Sequence, residues 1–275
     1  MAYQLDSIRL KIARANEHLH TLDSELSVFL EPYTKSRLVN HQFDGTWHIV
    51  SLKPVIQEPV PLLFSIICGE AVHNLRSALD HLIWQLVLAE GNRPGRSNTF
   101  PIYSKAKDFE TKVRLPRDPK RSPLHGIAPD SEAWALIEKE QPYHRQVPNE
   151  HYLATLAMLS NVDKHRALHR QMIYPSAGSM SDAIGWNPAA HLLERKETLY
   201  PLLHERETEV LRLRFSEAGP SAQVHVKGQV RLEPTFGDGE NFQAAFSGIK
   251  QLPVWIARFI EKFVTFFPDH PSGLL

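Results

Sequence analysis

The sequence predicts a mainly α-helical protein with a β-rich antiparallel segment in its C-terminal half, α+β overall. Two patterns carry that prediction. Apolar residues recur at alternating steps of three and four through the first thirty residues, the spacing of one helical face, and helical patterning returns in three later stretches. Beyond residue 167 the period changes to two, the mark of strands with one face to water. The 275 residues, 42% of them hydrophobic, suffice to bury one large core. We expect a single domain over 1–275, with a helical core from about 1–31, 59–91, 131–166 and 250–268 and a β-rich insertion at about 167–235.

Taken in order, Leu5, Ile8, Ile12, Ala15, Leu19, Leu22, Leu26 and Phe29 form a narrow seam on a long first helix. A seam of that length serves either an antiparallel helix of the same chain or a partner subunit, so a homodimer is one expectation. Pro32 and Pro54 bracket a segment in which Trp47, Ile49 and Val50 suggest a strand or hairpin around the Asp44-Gly45 turn signal. A second long helix starts near Pro59 and Pro61 and stops at Gly91. From Arg93 to Pro129 the chain is proline-rich and without sustained period, a long excursion with short local structure around Phe100 to Tyr103. A short helix over Ser131 to Glu138 precedes a buried helix from about Asn149 to Arg166. Period-two runs follow at Leu211, Leu213 and Phe215, at Val224 and Val226, and at Val230 and Leu232. An apolar helix over about Leu252 to Phe267 closes the core.

Several chemistries are excluded. Thirty-one basic and 31 acidic residues cancel, so no global field draws the chain to a polyanion. One cysteine, Cys68, cannot build a disulfide framework, and its place on an apolar helix face predicts a buried thiol. Neither a GxxxxGK phosphate loop nor a GxSxG elbow is present. The absence of a leader-like start or a long apolar run leads us to expect a cytoplasmic protein that does not enter the membrane. A local basic excess does exist: between Lys105 and Arg121 there are seven basic residues and three acidic ones. Lys112, Arg114, Arg117, Lys120 and Arg121 are its candidate phosphate-binding residues, against the plainer reading of a solvated loop.

The richest chemistry lies on the second helix. At about 100° per residue, His73, Asn74, Arg76, Ser77, Asp80, His81, Trp84 and Gln85 share one half of its circumference, and Ala71, Val72, Leu75, Ala78, Leu79, Leu82 and Leu86 share the other. Arg76 offers a fixed cation and His81 a titratable base. Asp80, four residues after Arg76, can orient the guanidinium or form a purely structural ion pair with it. Near the end of the buried helix, Asn161, Lys164 and His165 stand on one side, where they either cap the helix dipole or complete a site. A metal site from His73, Asp80 or His81 with Asp163 or His165 is a minority alternative, as is a di-metal centre from Glu70–His73 and Glu17–His20.

Arg76-Ser77-Ala78-Leu79-Asp80-His81 resembles the Arg-x4-6-His signature of the HEPN superfamily of helical, nucleotide-binding domains. The resemblance covers one helix and implies a HEPN-like helical bundle. It further implies dimeric juxtaposition of the motifs and metal-independent RNA cleavage, with Arg76 at the scissile phosphate and His81 moving the proton. His73, Asn74 and Asp80 would support these two, with Asn161, Lys164 and His165 contributed by the buried helix of about Asn149 to Arg166. No cofactor or metal is implied; RNA or a nucleotide is the expected ligand, and a toxin or phage-defence role with an antitoxin partner follows from the resemblance alone. The competing expectations are a non-catalytic nucleotide- or protein-binding module of the same fold and a metal-dependent enzyme using the His/Asp/Glu cluster.

Overall fold

The apolar seam of the first helix finds its partner inside the chain. In the computed structural model of the protein, residues 5–34, 39–52, 59–165, 170–175, 184–187, 189–197, 208–216, 223–226, 232–239 and 242–267 are described. Helix α1 (Asp6–Thr34) runs antiparallel to α2 (Leu63–Ala89). Leu5, Ile8, Ile12, Ala15, Leu19, Leu22 and Leu26 are buried in one core with Leu75, Leu79 and Leu82 of α2. The seam is therefore consumed within one protomer and supplies no dimer surface. Phe29 is only half-buried, and Leu30 takes the next buried place on α1.

The hairpin forms where its turn signal stands. Strands β1 (Val39–Phe43) and β2 (His48–Leu52) pair antiparallel across Asp44-Gly45. The Asp44 carboxylate accepts from the amides of Thr46 (2.8 Å) and Trp47 (2.7 Å), and Gly45 takes a φ of 96° that favours glycine.

Three short helical pieces follow: α3 (Ala106–Phe109), α4 (Glu132–Lys139) and α5 (Tyr152–His165). Ser131 caps α4 by accepting from the Trp134 amide at 3.2 Å. Helix α5 comes so close to α2 that a Cβ on Gly69 would collide with the Asp163 carboxylate. The neighbouring Cys68 is fully buried, and burial pushes its thiol pKa up, as the Asp163 charge also does.

Nine strands in all are described, the later ones being β3 (Arg170–Pro175), β4 (Ile184–Gly185), β5 (Leu192–Glu197), β6 (Thr208–Phe215), β7 (His225–Val226), β8 (Leu232–Gly237) and β9 (Gln243–Ala245). They form sheets ordered β1-β2-β6-β5, β3-β8-β9 and β4-β7, every pairing antiparallel. The fold is thus α+β. The early hairpin joins the sheet built by the C-terminal half, so the β structure is not confined to 167–235. Leu211, Leu213 and Phe215 are buried with Val50, Ile173 and Leu30 in a second core, as their alternation requires, while Arg214 faces solvent. Val230 lies outside the described residues. Helices α6 (Phe246–Ile249) and α7 (Leu252–Glu261) complete the first core, and among the described residues no helix is long and apolar enough to cross a membrane.

The proline-rich excursion departs from its reading as a mostly irregular loop. Beyond α3 it holds a π turn at Glu110–Arg114 and a 3₁₀ turn at Pro119–Arg121. Phe100, Phe109, Val113, Leu124 and Ile127 are buried in the helical core. Phe100 meets the Phe259 ring edge-on at 5.5 Å between centroids. Burying such a ring contributes about 1.5–3 kcal/mol.

A second junction closes the α4, α5 and α7 ends. Glu140, with its side chain 13% exposed, accepts from Lys262 Nζ (3.0 Å) and the Tyr152 hydroxyl (3.3 Å) and lies 3.6 Å from His151 Nε2. The nearby His151 ring, together with Lys262, holds its carboxyl pKa down at about 2 despite burial. Because the folded value lies below the ordinary 4.5, this stabilisation is present above that pH and lost as pH falls toward 2. We expect Glu140→Gln to lower unfolding free energy at neutral pH by about 2–3 kcal/mol. In urea titrations the deficit should shrink progressively below pH 4.5.

Candidate functional site

A polar stripe flanks the seam of α1. Ser7, Lys11, Arg14 and His18 follow one another at steps of four, three and four, and they face the polar side of α2. Lys11 Nζ donates to Asn74 Oδ1 at 3.1 Å, and Asn74 donates in turn to the Glu70 carbonyl at 2.9 Å. His18 Nδ1 lies 3.3 Å from Glu70 Oε2, and His81 Nδ1 lies 3.0 Å from Ser7 Oγ. Two clefts border these bridges. One, of about 350 Å³, is lined by Arg14, His18, Glu70, His73, Asn74 and Asp163 among others. The other, of about 270 Å³, is lined by Ser7, Asp80, His81, Trp84, Gln85 and Asn98.

Arg76 belongs to neither cleft. Its Nη2 donates to the Phe100 carbonyl at 2.5 Å and lies 3.2 Å from Asp80 Oδ1, while the Phe100 amide donates to that same Asp80 oxygen at 2.8 Å. The pair grips both polar groups of one peptide residue in the buried excursion. With its side chain 17% exposed, Arg76 is a structural cation, and the Arg76–Asp80 spacing serves a clamp. Arg76 and His81 are accordingly not brought to one reacting centre within the protomer. The cause is geometric: five residues turn the helix by about 140°, so the two side chains leave opposite edges of the polar face.

His81 keeps a chemical role. Burial lowers its pKa below 6.5, and the Lys11 ammonium lowers it further against the opposing Asp80 charge. The imidazole is thus neutral at pH 7, with Nδ1 on Ser7 and an exposed indole, Trp84 at 44%, one helical turn away.

The remaining candidates divide. His73 is exposed and lines the first cleft with Asn74, not the His81 cleft. Asn161 is exposed on α5, and Lys164 and His165 close that helix with side chains outside the described residues. Of the phosphate-loop candidates, Arg114 is taken up by Glu138 and Glu110, and Lys112 pairs with Asp108 at 3.2 Å and lies over the Tyr103 ring. Arg121 makes a loose 3.7 Å contact with Asp118, whereas Arg117 and Lys120 have no ion pair among the described residues. Lys112, Arg117 and Arg121 line one shallow depression, separate from both α2 clefts. Of the di-metal alternative, Glu17 pairs with Arg14 on an exposed face of α1, and of the other metal alternative the His165 side chain lies outside the described residues. Among the described residues no three His, Cys, Asp or Glu side chains converge as a metal site.

Comparison with protein-family models, curated proteins and solved structures finds no match. The site therefore rests on its geometry. Ser7, Lys11 and Asn98 are the contributors that reading α2 by itself overlooks. The four-three-four polar run beside the α1 seam is the signal that marks the first two, once the seam is known to pack on α2.

Two measurements test this assignment. Asp80→Ala should cost about 1.5–3 kcal/mol and accelerate hydrogen exchange at the Phe100 amide, whereas His81→Ala should cost about 1 kcal/mol or less. By NMR titration, the His81 ring should protonate below pH 6.5, and Lys11→Met should move its midpoint upward.

Proposed function

We propose that this chain is a HEPN-like, non-catalytic binding module that takes a nucleotide, or one nucleotide of an RNA strand, in the cleft between α1 and α2 at His81. The observation that carries the reading is the commitment of Arg76 to Phe100 while His81 stays in an open cleft. A motif arginine bound to backbone oxygen and Asp80 is not available to a scissile phosphate. What the cleft offers instead is recognition chemistry. The exposed Trp84 face suits base stacking, and the side chains of Asp80, Gln85 and His81 supply donor and acceptor types that read a base edge.

Metal-independent RNA cleavage is the second reading, and one observation favours it. Burial and Lys11 keep His81 unprotonated at neutral pH, the form that removes a 2′-hydroxyl proton. It requires Arg76 to leave its clamp, or a cation from a second subunit to take its place.

Labelled short RNA in excess chelator separates the two. Under the binding reading, wild type binds the RNA and leaves it intact, and Trp84→Ala weakens affinity by about tenfold or more through loss of stacking. Cleavage by wild type that disappears in a folded His81→Ala variant would overturn that reading in favour of the ribonuclease. Neither binding nor cleavage of RNA, with no affinity for mononucleotides, would sink both.

A further inference from the structure

The excursion between α2 and α4 carries a site of its own, away from the α1/α2 clefts. Val113, Leu115, Leu124, Ile127 and Trp134 line a cleft of about 380 Å³, within the size range of small-molecule sites. Pro116 forms part of its wall. Pro116 also lines the depression of about 610 Å³ bordered by Lys112, Arg117 and Arg121. An apolar compartment and a cationic one therefore share a residue.

Single exposed apolar side chains are ordinary on protein surfaces. Leu115 is different in its setting: 72% exposed, it stands in the lining of the apolar cleft and next in sequence to the shared Pro116. Beside the same cleft, the buried Trp134 indole N–H has no acceptor among the described residues, a deficit of the kind that a bound water or ligand oxygen satisfies. The cations are also partly uncommitted. Arg117 has no ion pair among the described residues, and Arg121 is held only by its 3.7 Å approach to Asp118. Asp118 itself lines the depression and removes one of its positive charges, which leaves a net attraction for a single anionic group better than for a polyanion.

We propose that this lobe binds an amphipathic organic anion. The apolar body, a medium acyl chain or an aromatic ring, lies against Leu115, Leu124 and Ile127. A carboxylate or phosphate head lies in the adjoining depression against Arg117 and Arg121, whose guanidinium groups can donate bidentately to either head. The site is independent of the His81 cleft and of the function proposed for it.

Calorimetric titration of the full chain with octanoate, octyl phosphate, 1-octanol and inorganic phosphate tests the inference. At least one of the two charged amphiphiles is expected to bind tenfold or more tightly than both octanol and phosphate, and the comparison of octanoate with octyl phosphate identifies the preferred head. Arg117→Glu combined with Arg121→Glu should reduce that ligand to the affinity of octanol, and Leu115→Ser should weaken it severalfold. Both changes fall on exposed side chains, so unchanged thermal unfolding serves as the control. Octanol binding as tightly as the charged amphiphiles would remove the anion subsite from the proposal. Inorganic phosphate binding equally well would remove the apolar one, and no binding of either amphiphile up to about 10 mM would overturn the inference outright.

Discussion

A buried stretch of chain without a sheet partner must find acceptors and donors for its peptide groups elsewhere, because an orphaned backbone group in the core costs as much as a lost hydrogen bond. The segment around Phe100 to Tyr103 is such a stretch, and three side chains meet its needs. Arg76 and Asp80 take the carbonyl and amide of Phe100. The fully buried Gln141 donates to the Pro101 carbonyl and accepts from the Tyr103 amide. Asn98 reaches the carbonyls of Pro123 and His125, so that both arms of the excursion are tied together. With these in place Phe100 and Phe109 can enter the core, and the lobe that follows acquires a defined surface.

That constraint also sorts the polar face of α2. Residues toward the excursion, Arg76 and Asp80, are drawn into holding it. Residues toward α1 meet the stripe of Ser7, Lys11 and His18 and border open clefts. A helix face that carries arginine, histidine and aspartate thus divides into a structural half and a recognition half. The division follows from which neighbour each edge of the helix meets, since side chains about 140° apart cannot both face the same one. Asp80 is shared, with one oxygen on the Phe100 amide and its side chain in the wall of the His81 cleft, so the loop clamp and the cleft are mechanically linked.

Legibility in the sequence tracked how local each signal was. The α1 seam, the Asp44-Gly45 turn and the alternation at Leu211, Leu213 and Phe215 depend on periodicity or on contacts within a few residues, and all three stand in the structure. The excursion was opaque because its order comes from Gln141 and Asn98, side chains that bond backbone atoms up to 40 residues away. Among site residues, the polar half of α2 was readable as a set, but the role of each member was not. Arg76 and His81 look equivalent on a helical wheel. They differ in what lies opposite them, Phe100 in one case and Ser7 in the other.

The sequence by itself determined the two long helices, their apolar faces, the antiparallel strands and the concentration of reactive side chains between residues 70 and 85, because these follow from the turn angle of a helix and the pleat of a strand. Tertiary structure decided that the α1 seam closes on α2 in the same protomer, that the early hairpin joins β6, that Arg76 holds backbone, and that His81 borders a cleft. Each of these is a meeting of segments far apart in sequence, and which partner a side chain meets is set by packing of the whole chain.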